Sequence, residues 1–450
     1  MSSNWDPKPL SIFLNKVIGG GTPSRKIASY WEGEIPWASV KDFQDDIQLL
    51  YDTTEHISFE GLEKSAANLI PPEVLLICVR MAIGRVALTT RPTAINQDIK
   101  AIDTNDLLIP KYLLYLLLIH RHQLEAVSTG STVKGLSLTQ LLFLPLRVPL
   151  PSVQHQIITI LDTINEQIQH TKQLITKLKL LRDGLLHKLL TCGIDEHGQL
   201  RDPVAHLEQF REAMVGKIKV KIPKGWEISK LGDMVFPNGG FIQTGPFGSQ
   251  LHAHEYVPEG VPVIMPQDIQ NGRINKSQIA HITPTKALTL TRHFVKINDV
   301  IFGRRGDLDR CAFIGTSEVG AICGTDCLLI RPPQKLIDGR WLAAIYRHHY
   351  CQLQIRARAV GSTMVGLNTK LLMNLVIAMP SLKEQKAIMD RCSGIDILIY
   401  EEEAHYTKLK NYKAGLMHDL LTGKVPVAGK QEVESCLEGQ HPPDDPNRML

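Results

Sequence analysis

At 450 residues the chain is too long for one hydrophobic core and suits two or three domains. Its 43% hydrophobic content is ordinary for a soluble protein, and a net charge of +4 gives no global nucleic-acid signature, so any such binding has to come from local patches. Eight scattered cysteines, none in a Cys-x-x-Cys pair, exclude a disulfide scaffold and point to buried thiols in a reducing cytosol.

The beginning carries Asp6, Pro7 and Pro9 rather than an apolar signal core. The most apolar run, residues 107–119, contains Pro110 and Lys111 and is too short to span a bilayer. A cytoplasmic protein is expected. Further along, the chain repeats itself. Asn4-Trp5-Asp6 with Leu10 is echoed by Gly225-Trp226-Glu227 with Leu231, and a Gly/Thr/Pro turn cluster follows each, at residues 19–24 and 239–249. Residues 35–42 parallel 261–268. Residues 74–87, with Arg80, Gly84 and Arg85, parallel 299–312, with Arg305 and Arg310; both read as short apolar strands leading into a basic loop. Asp98 matches Asp326. Helical stretches are predicted over 111–127 and 341–357, each followed by a Gly-Ser-Thr turn, at Gly130 and Gly361.

Each half then closes on Pro-Ser-x-x-x-Gln, at Pro151 and Pro380, opening a long helix. The lead-ins are offset by 229 and the helices by 231, which places a two-residue slip between them. Ser381 and Glu384 form a capping box, with His155 at the corresponding place in the first copy. Apolar residues recur four and three apart at Ile157, Leu161, Ile164, Ile168, Ile175, Leu178, Leu185 and Leu189, interrupted by Thr171 and Arg182. Adding 231 to each gives Ile388, Cys392, Ile395, Ile399, Tyr406, Leu409, Leu416 and Leu420, interrupted by Glu402 and Lys413. A 3.5-residue repeat is the seam of a left-handed coiled coil, and the shared interruptions mark a duplicated unit.

The expected fold is α+β: two globular mixed α/β domains separated by two long antiparallel helices forming a coiled coil, internally duplicated. Its segments are a first domain at 1–150, a long helix at 151–191, a polar linker at 192–221, a second domain at 222–379, a second long helix at 380–423 and a mobile tail at 424–450.

Catalytic motifs are sparse. The Gly-Lys pairs at Gly216 and Gly423 are followed by Ile218 and Val425, so no phosphate loop is formed. Pro442-Pro443-Asp444 has the wrong order and no aromatic for an adenine-gripping methyltransferase cluster. Glu384-Gln385-Lys386 has the form of a nuclease metal site but sits in a helix's first turn, where a carboxylate caps. Among 17 histidines, the pairs His252/His254 and His348/His349 lack the helical partner acid of a zinc hydrolase. No catalytic residue and no metal ligand is predicted.

The basic and amide residues fall in the presumed loops. Arg25, Lys26, Lys41, Arg80, Arg85, Gln97 and Lys134 belong to the first half; Gln243, Gln250, Gln267, Arg273, Arg304, Arg305 and Arg310 belong to the second. Arg, Lys and Gln read base edges in the major groove, and the cations also hold phosphates. Two similar reading heads with a rod between them suit two short DNA segments flanking an unread gap.

To about Gly423 the chain resembles the specificity subunit of type I restriction–modification enzymes. The match lies in Gly20-Gly21-Thr22-Pro23-Ser24, in Tyr30-Trp31-x-Gly33-x-Ile35-Pro36-Trp37 and in Asn96-Gln97. It continues in residues 243–251 (Gln-Thr-Gly-Pro-Phe-Gly-Ser-Gln-Leu), in 260–263 and 271–274, and in the paired Gly-Ser-Thr turns, helix starts and Leu-Leu-Thr helix ends. The resemblance implies two target-recognition domains, each reading one half-site of a bipartite DNA target whose nonspecific spacer is set by helix length. It implies no catalysis and no cofactor on this chain. The partners implied are double-stranded DNA, two methyltransferase subunits using S-adenosylmethionine, and restriction/translocase subunits using ATP and Mg. Two departures are His155, where Glu is usual, and Cys192, opposite Gly423. Other architectures for such domains are the targeting module of a fused methyltransferase or nuclease, which needs a cofactor or metal motif, and a coiled-coil scaffold binding only proteins.

Overall fold

A computed structural model describes residues 5–46, 49–128, 135–270, 272–359 and 366–427. Lys134, residues 130–133 and 361–365 of the paired turns, Asn4, Asn271, Cys436 and the tail from 428 lie outside them. The chain divides into two compact units, one made of residues 1–173 and 403–450, the other of 174–402.

In the first unit, a sheet runs in the order Leu14–Gly19, Ile99–Thr104, Leu75–Cys78, Val86–Thr89, Leu49–Leu50. Leu75, Leu76, Ile77 and Cys78 are all fully buried, because this central strand has the helix Pro110–Val127 on one side and a second apolar cluster on the other. A second sheet orders Glu55–Ile57, Ile35–Ala38, Thr93–Ile95 and Asn68–Ile70, with Trp37 paired parallel to Ala94. The second unit repeats the plan. One sheet orders Phe241–Thr244, Cys327–Arg331, Val300–Gly303 and Cys311–Phe313. The other orders Tyr256–Val257, Ala280–Ile282, Val261–Ile264 and Ile322–Cys323, with Val263 parallel to Ile322. The duplication seen in sequence is a duplication of strand pairing.

The long helices are Pro151–Cys192 and Leu382–Leu421. Every seam position is buried or half-buried, from Ile157 to Leu189 and from Ile388 to Leu420. In the first unit Ile157, Ile158 and Leu161 share a core with Met417, Leu420 and Leu421. In the second, Leu186, Leu189 and Leu190 share one with Ile388 and Cys392. The beginning of each helix thus packs on the end of the other, which is antiparallel pairing. Two of the four polar interruptions are paired: Arg182 Nε lies 3.2 Å from Asp396 of the opposite helix, and Lys413 Nζ lies 2.6 Å from Asp46.

Three local readings change. First, the register at the helix starts is continuous. Gln154, buried, donates to the carbonyls of Pro149 (2.8 Å) and Leu107 (2.7 Å) and accepts from the Ile109 N–H (2.8 Å). Gln385, also buried, donates to Pro380 (2.9 Å) and Leu336 (3.0 Å) and accepts from Asp338 (2.9 Å). Gln154 and Gln385 stand 231 apart, as do Pro149 and Pro380, so the slip falls upstream and Val153, not His155, is opposite Glu384. Second, only half the capping box forms. Ser381 Oγ accepts from the Glu384 N–H at 3.3 Å, while the Glu384 carboxylate turns away to Arg201 (2.5 Å), the Ile194 N–H (3.0 Å) and Trp226 Nε1 (3.2 Å). Third, the Cys192 departure is absorbed by Gly193. With φ +64 it closes the first helix in the left-handed conformation that Gly423 (φ +71) adopts at the second.

The joining segment holds more than turns. Phe210–Val215 and Ile218–Pro223 form an antiparallel hairpin whose Val215 and Ile222 enter the second unit's core. The helix expected over 341–357 is broken in two, Gly339–Arg347 and His349–Ala359, because His348 takes extended backbone (ψ 144). Burial first, then His349 and His187, push its imidazole down to about 3. All seven described cysteines are free thiols, six of them buried. Among the described residues no helix is long and apolar enough to cross a membrane.

Candidate nucleic-acid interface

The apolar strand Leu75–Cys78 ends in a tight loop that returns into Val86–Thr89; Val300–Gly303 does the same into Cys311–Phe313. The loops are fixed by matching backbone bonds. Val79 N–H donates to Asp98 O and Arg304 N–H to Asp326 O, each at 2.8 Å. Leu136 N–H donates to Val79 O and Leu367 N–H to Arg304 O, again each at 2.8 Å. Arg80 then bridges Gly135, and Arg305 bridges Gly366. Each arginine points outward, 58% and 61% exposed, beside an acid: Arg80–Asp98 at 3.8 Å and Arg305–Asp326 at 3.5 Å. Such loose exposed pairs contribute at most about 1 kcal/mol. Their effect is to aim a guanidinium at solvent.

The next residue carries the same left-handed backbone in both loops, Met81 at φ +64 and Gly306 at φ +80. Glycine adopts this at no steric cost, whereas methionine pays roughly 1–2 kcal/mol. Met81 is also 76% exposed, an apolar side chain at the tip of the loop. Sequence reasoning passed over it; its one signal is its place between Arg80 and the Gly84 turn.

Other predicted residues separate into outward-facing and internally committed groups. Lys26, Lys41, Gln267 and Arg273 are exposed. Arg25 is exposed too, but its guanidinium lies 3.5 Å over the Trp31 ring and is paired with Glu55, which holds the arginine's pKa up and the carboxylate's down. Gln97 faces out, accepting from Thr22 Oγ1 at 2.5 Å. Arg85 is half-buried and committed, donating to Asp45 (2.8 Å) and Phe43 O (3.1 Å). Arg121, a residue not singled out from sequence, holds the same Asp45 at 2.8 Å; Arg121 and then Arg85 keep that carboxyl below its usual range. Arg310 likewise donates to Pro266 O at 3.0 Å. Gln243 donates to Arg292 O (2.7 Å), Gln250 accepts from Phe247 N–H (3.1 Å), and Arg304 acts through its backbone.

The glycine-rich turns permit close backbone approach. A Cβ on Gly20 would sit 2.0 Å from Ile95 O, and one on Gly245 would sit 1.8 Å from Gly324 O. Beside the first loop lies a cavity of about 550 Å³ lined by Met81, Arg85 and Arg121; beside the second lies one of about 590 Å³ lined by Gln267, Arg310 and Arg347. Outward cations, an amide and an apolar tip can hold phosphates and touch base edges.

A family model described as Type I restriction modification DNA specificity domain matches residues 2–180 and 223–411. The type I restriction enzyme MjaIX specificity subunit of Methanocaldococcus jannaschii is 28% identical over 235 residues, 52% of this chain and 52% of that protein. The MjaVIII specificity subunit of the same organism is 22% identical over 434 residues, 94% and 93% of the two chains. The chain thus spans about half the length of the first relative and nearly all of the second. Among solved structures, the type I restriction–modification S subunit from M. genitalium shares the fold at a TM-score of 0.55 and 17% identity, covering 95% of this chain and 97% of that one.

Proposed function

The chain belongs to the type I restriction–modification DNA specificity family, and from that premise we propose that it is the non-catalytic subunit that reads a bipartite DNA target, one half-site per unit. The observation that carries this reading is the arginine loop built twice with the same backbone bonds, ending in Arg80 and in Arg305. Phosphate contacts from Lys26, Lys41 and Arg273 make binding fall with salt. Base contacts from Arg80, Arg305, Gln97 and Gln267 set sequence. Methyltransferase subunits using S-adenosylmethionine and restriction subunits using ATP and Mg dock on it in the cytoplasm. The helices, of 42 and 40 residues, set the number of unread bases.

Mapping methylated adenines made by the reconstituted methyltransferase tests the reading. Arg80→Ala should relax one half-site and Arg305→Ala the other, each costing about 1–3 kcal/mol of discrimination. Inserting one heptad in both long helices should lengthen the spacer and leave both half-sites intact. If the two arginine variants alter the same half-site, or neither, the assignment of one unit to one half-site fails.

A further inference from the structure

We propose that His187, His348 and His349 form a binding site for one divalent transition-metal ion of the zinc class, fastening the first long helix to the second unit's globular domain. His187 stands in the last turns of the helix Pro151–Cys192, and the other two occupy the corner between Gly339–Arg347 and His349–Ala359. One ligand nitrogen from each ring lies within 4.8 Å of the others, and His348 Nε2 is 3.0 Å from His187 Nδ1. Tetrahedral ligation at about 2.0–2.1 Å sets nitrogens roughly 3.3 Å apart, so small side-chain rotations bring the three into range.

The corner is built for this grouping. Extended backbone at His348 ends one helix and begins the next, and the two consecutive imidazoles lie with ring centroids 4.5 Å apart. His348 is buried, packed edge-on against Tyr350 at 4.3 Å between centroids and stacked on His187 at 5.0 Å. Its Nε2 is the nitrogen that faces His187, while its Nδ1 is buried with no hydrogen-bond partner. His187 and His349 are exposed, which gives an ion a way in.

The trio opens onto a cavity of about 250 Å³ also lined by Arg182, Asp183 and Arg347. Arg182 is paired with Asp183 (3.0 Å) and Asp396 (3.2 Å), so its charge is offset. Arg347 has its Nε buried without a partner. Its cation opposes a dication and favours an anionic ligand, such as hydroxide, in the fourth position. Imidazole donors suit zinc, copper and nickel over magnesium or calcium.

The test uses the tag-free full chain, stripped with chelator and titrated with zinc against a chromophoric competitor, with cobalt absorption reporting geometry. One equivalent should bind, cobalt should give the intense bands of a tetrahedral site, and zinc should raise the melting temperature. His187→Gln and His349→Gln, both at exposed positions, should weaken binding about 100-fold or more and abolish the thermal shift. The double variant His252→Gln/His254→Gln, altering an exposed stacked pair elsewhere, should bind as the parent does. No stoichiometric binding by the parent chain, or binding unchanged in both single variants, overturns the site.

Discussion

The two units share their anchoring bonds and differ in their loop surfaces. Gln154 and Gln385 make the same three bonds to the same kinds of backbone group. Leu10 and Leu231 donate to Leu144 O and Leu375 O at 3.0 and 2.9 Å. On their surfaces, by contrast, the first unit carries Arg25 stacked on Trp31 and, in its arginine loop, an exposed Met81, while the second carries a hairpin, Ile269–Gln270 with Arg273–Ile274, and a glycine after its loop arginine. Bonds that hold a domain to its helix tolerate little change. Surfaces free of such bonds can diverge.

The comparison breaks hardest at the buried glutamines. Gln154→Ala and Gln385→Ala each strand a buried N–H and two carbonyls, and each should destabilise its own unit by roughly 3–5 kcal/mol, read as a shifted transition by calorimetry. Similar losses in the two variants would support equivalence. The seam comes next. Leu161→Ala and Leu189→Ala, both fully buried, should cost about 3 kcal/mol each in opposite units. Glu384→Gln sharpens the contrast, since Val153 occupies the corresponding place. It should cost about 2 kcal/mol in the second unit alone by leaving Arg201 without its charge partner. Arg80→Ala and Arg305→Ala should change stability by less than about 1 kcal/mol while altering DNA specificity.

The long-period features were legible in the chain. A heptad seam and a 231-residue echo are global patterns, and the buried faces follow them residue by residue. The start of the first helix was harder, because Pro151-Ser152 imitates Pro380-Ser381 while the anchoring work falls to Pro149 and Gln154. The hairpin at 210–223 had a signal, Ile218, Val220 and Ile222 alternating with Lys219 and Lys221, inside a segment whose composition reads as polar. For the interface, residue type placed arginines in loops correctly, as Arg80 and Arg305 illustrate. It could not tell them from Arg85 and Arg310, whose commitment depends on Asp45, Phe43 O and Pro266 O arriving from distant sequence. Tertiary partners decide which cation is available. Nor could spacing bring His187 to His348, 161 residues away.

Met417, Leu420 and Leu421 belong to the core that also holds Leu10 and Leu75. A ribosome makes the first of these residues hundreds of peptide bonds before the last. The first of the two domains therefore waits with an open flank until residues 417–421 are made, and the second can close ahead of it. Nascent chains stalled short of residue 417 should leave the amino-terminal portion open to protease while the middle of the polypeptide already resists it.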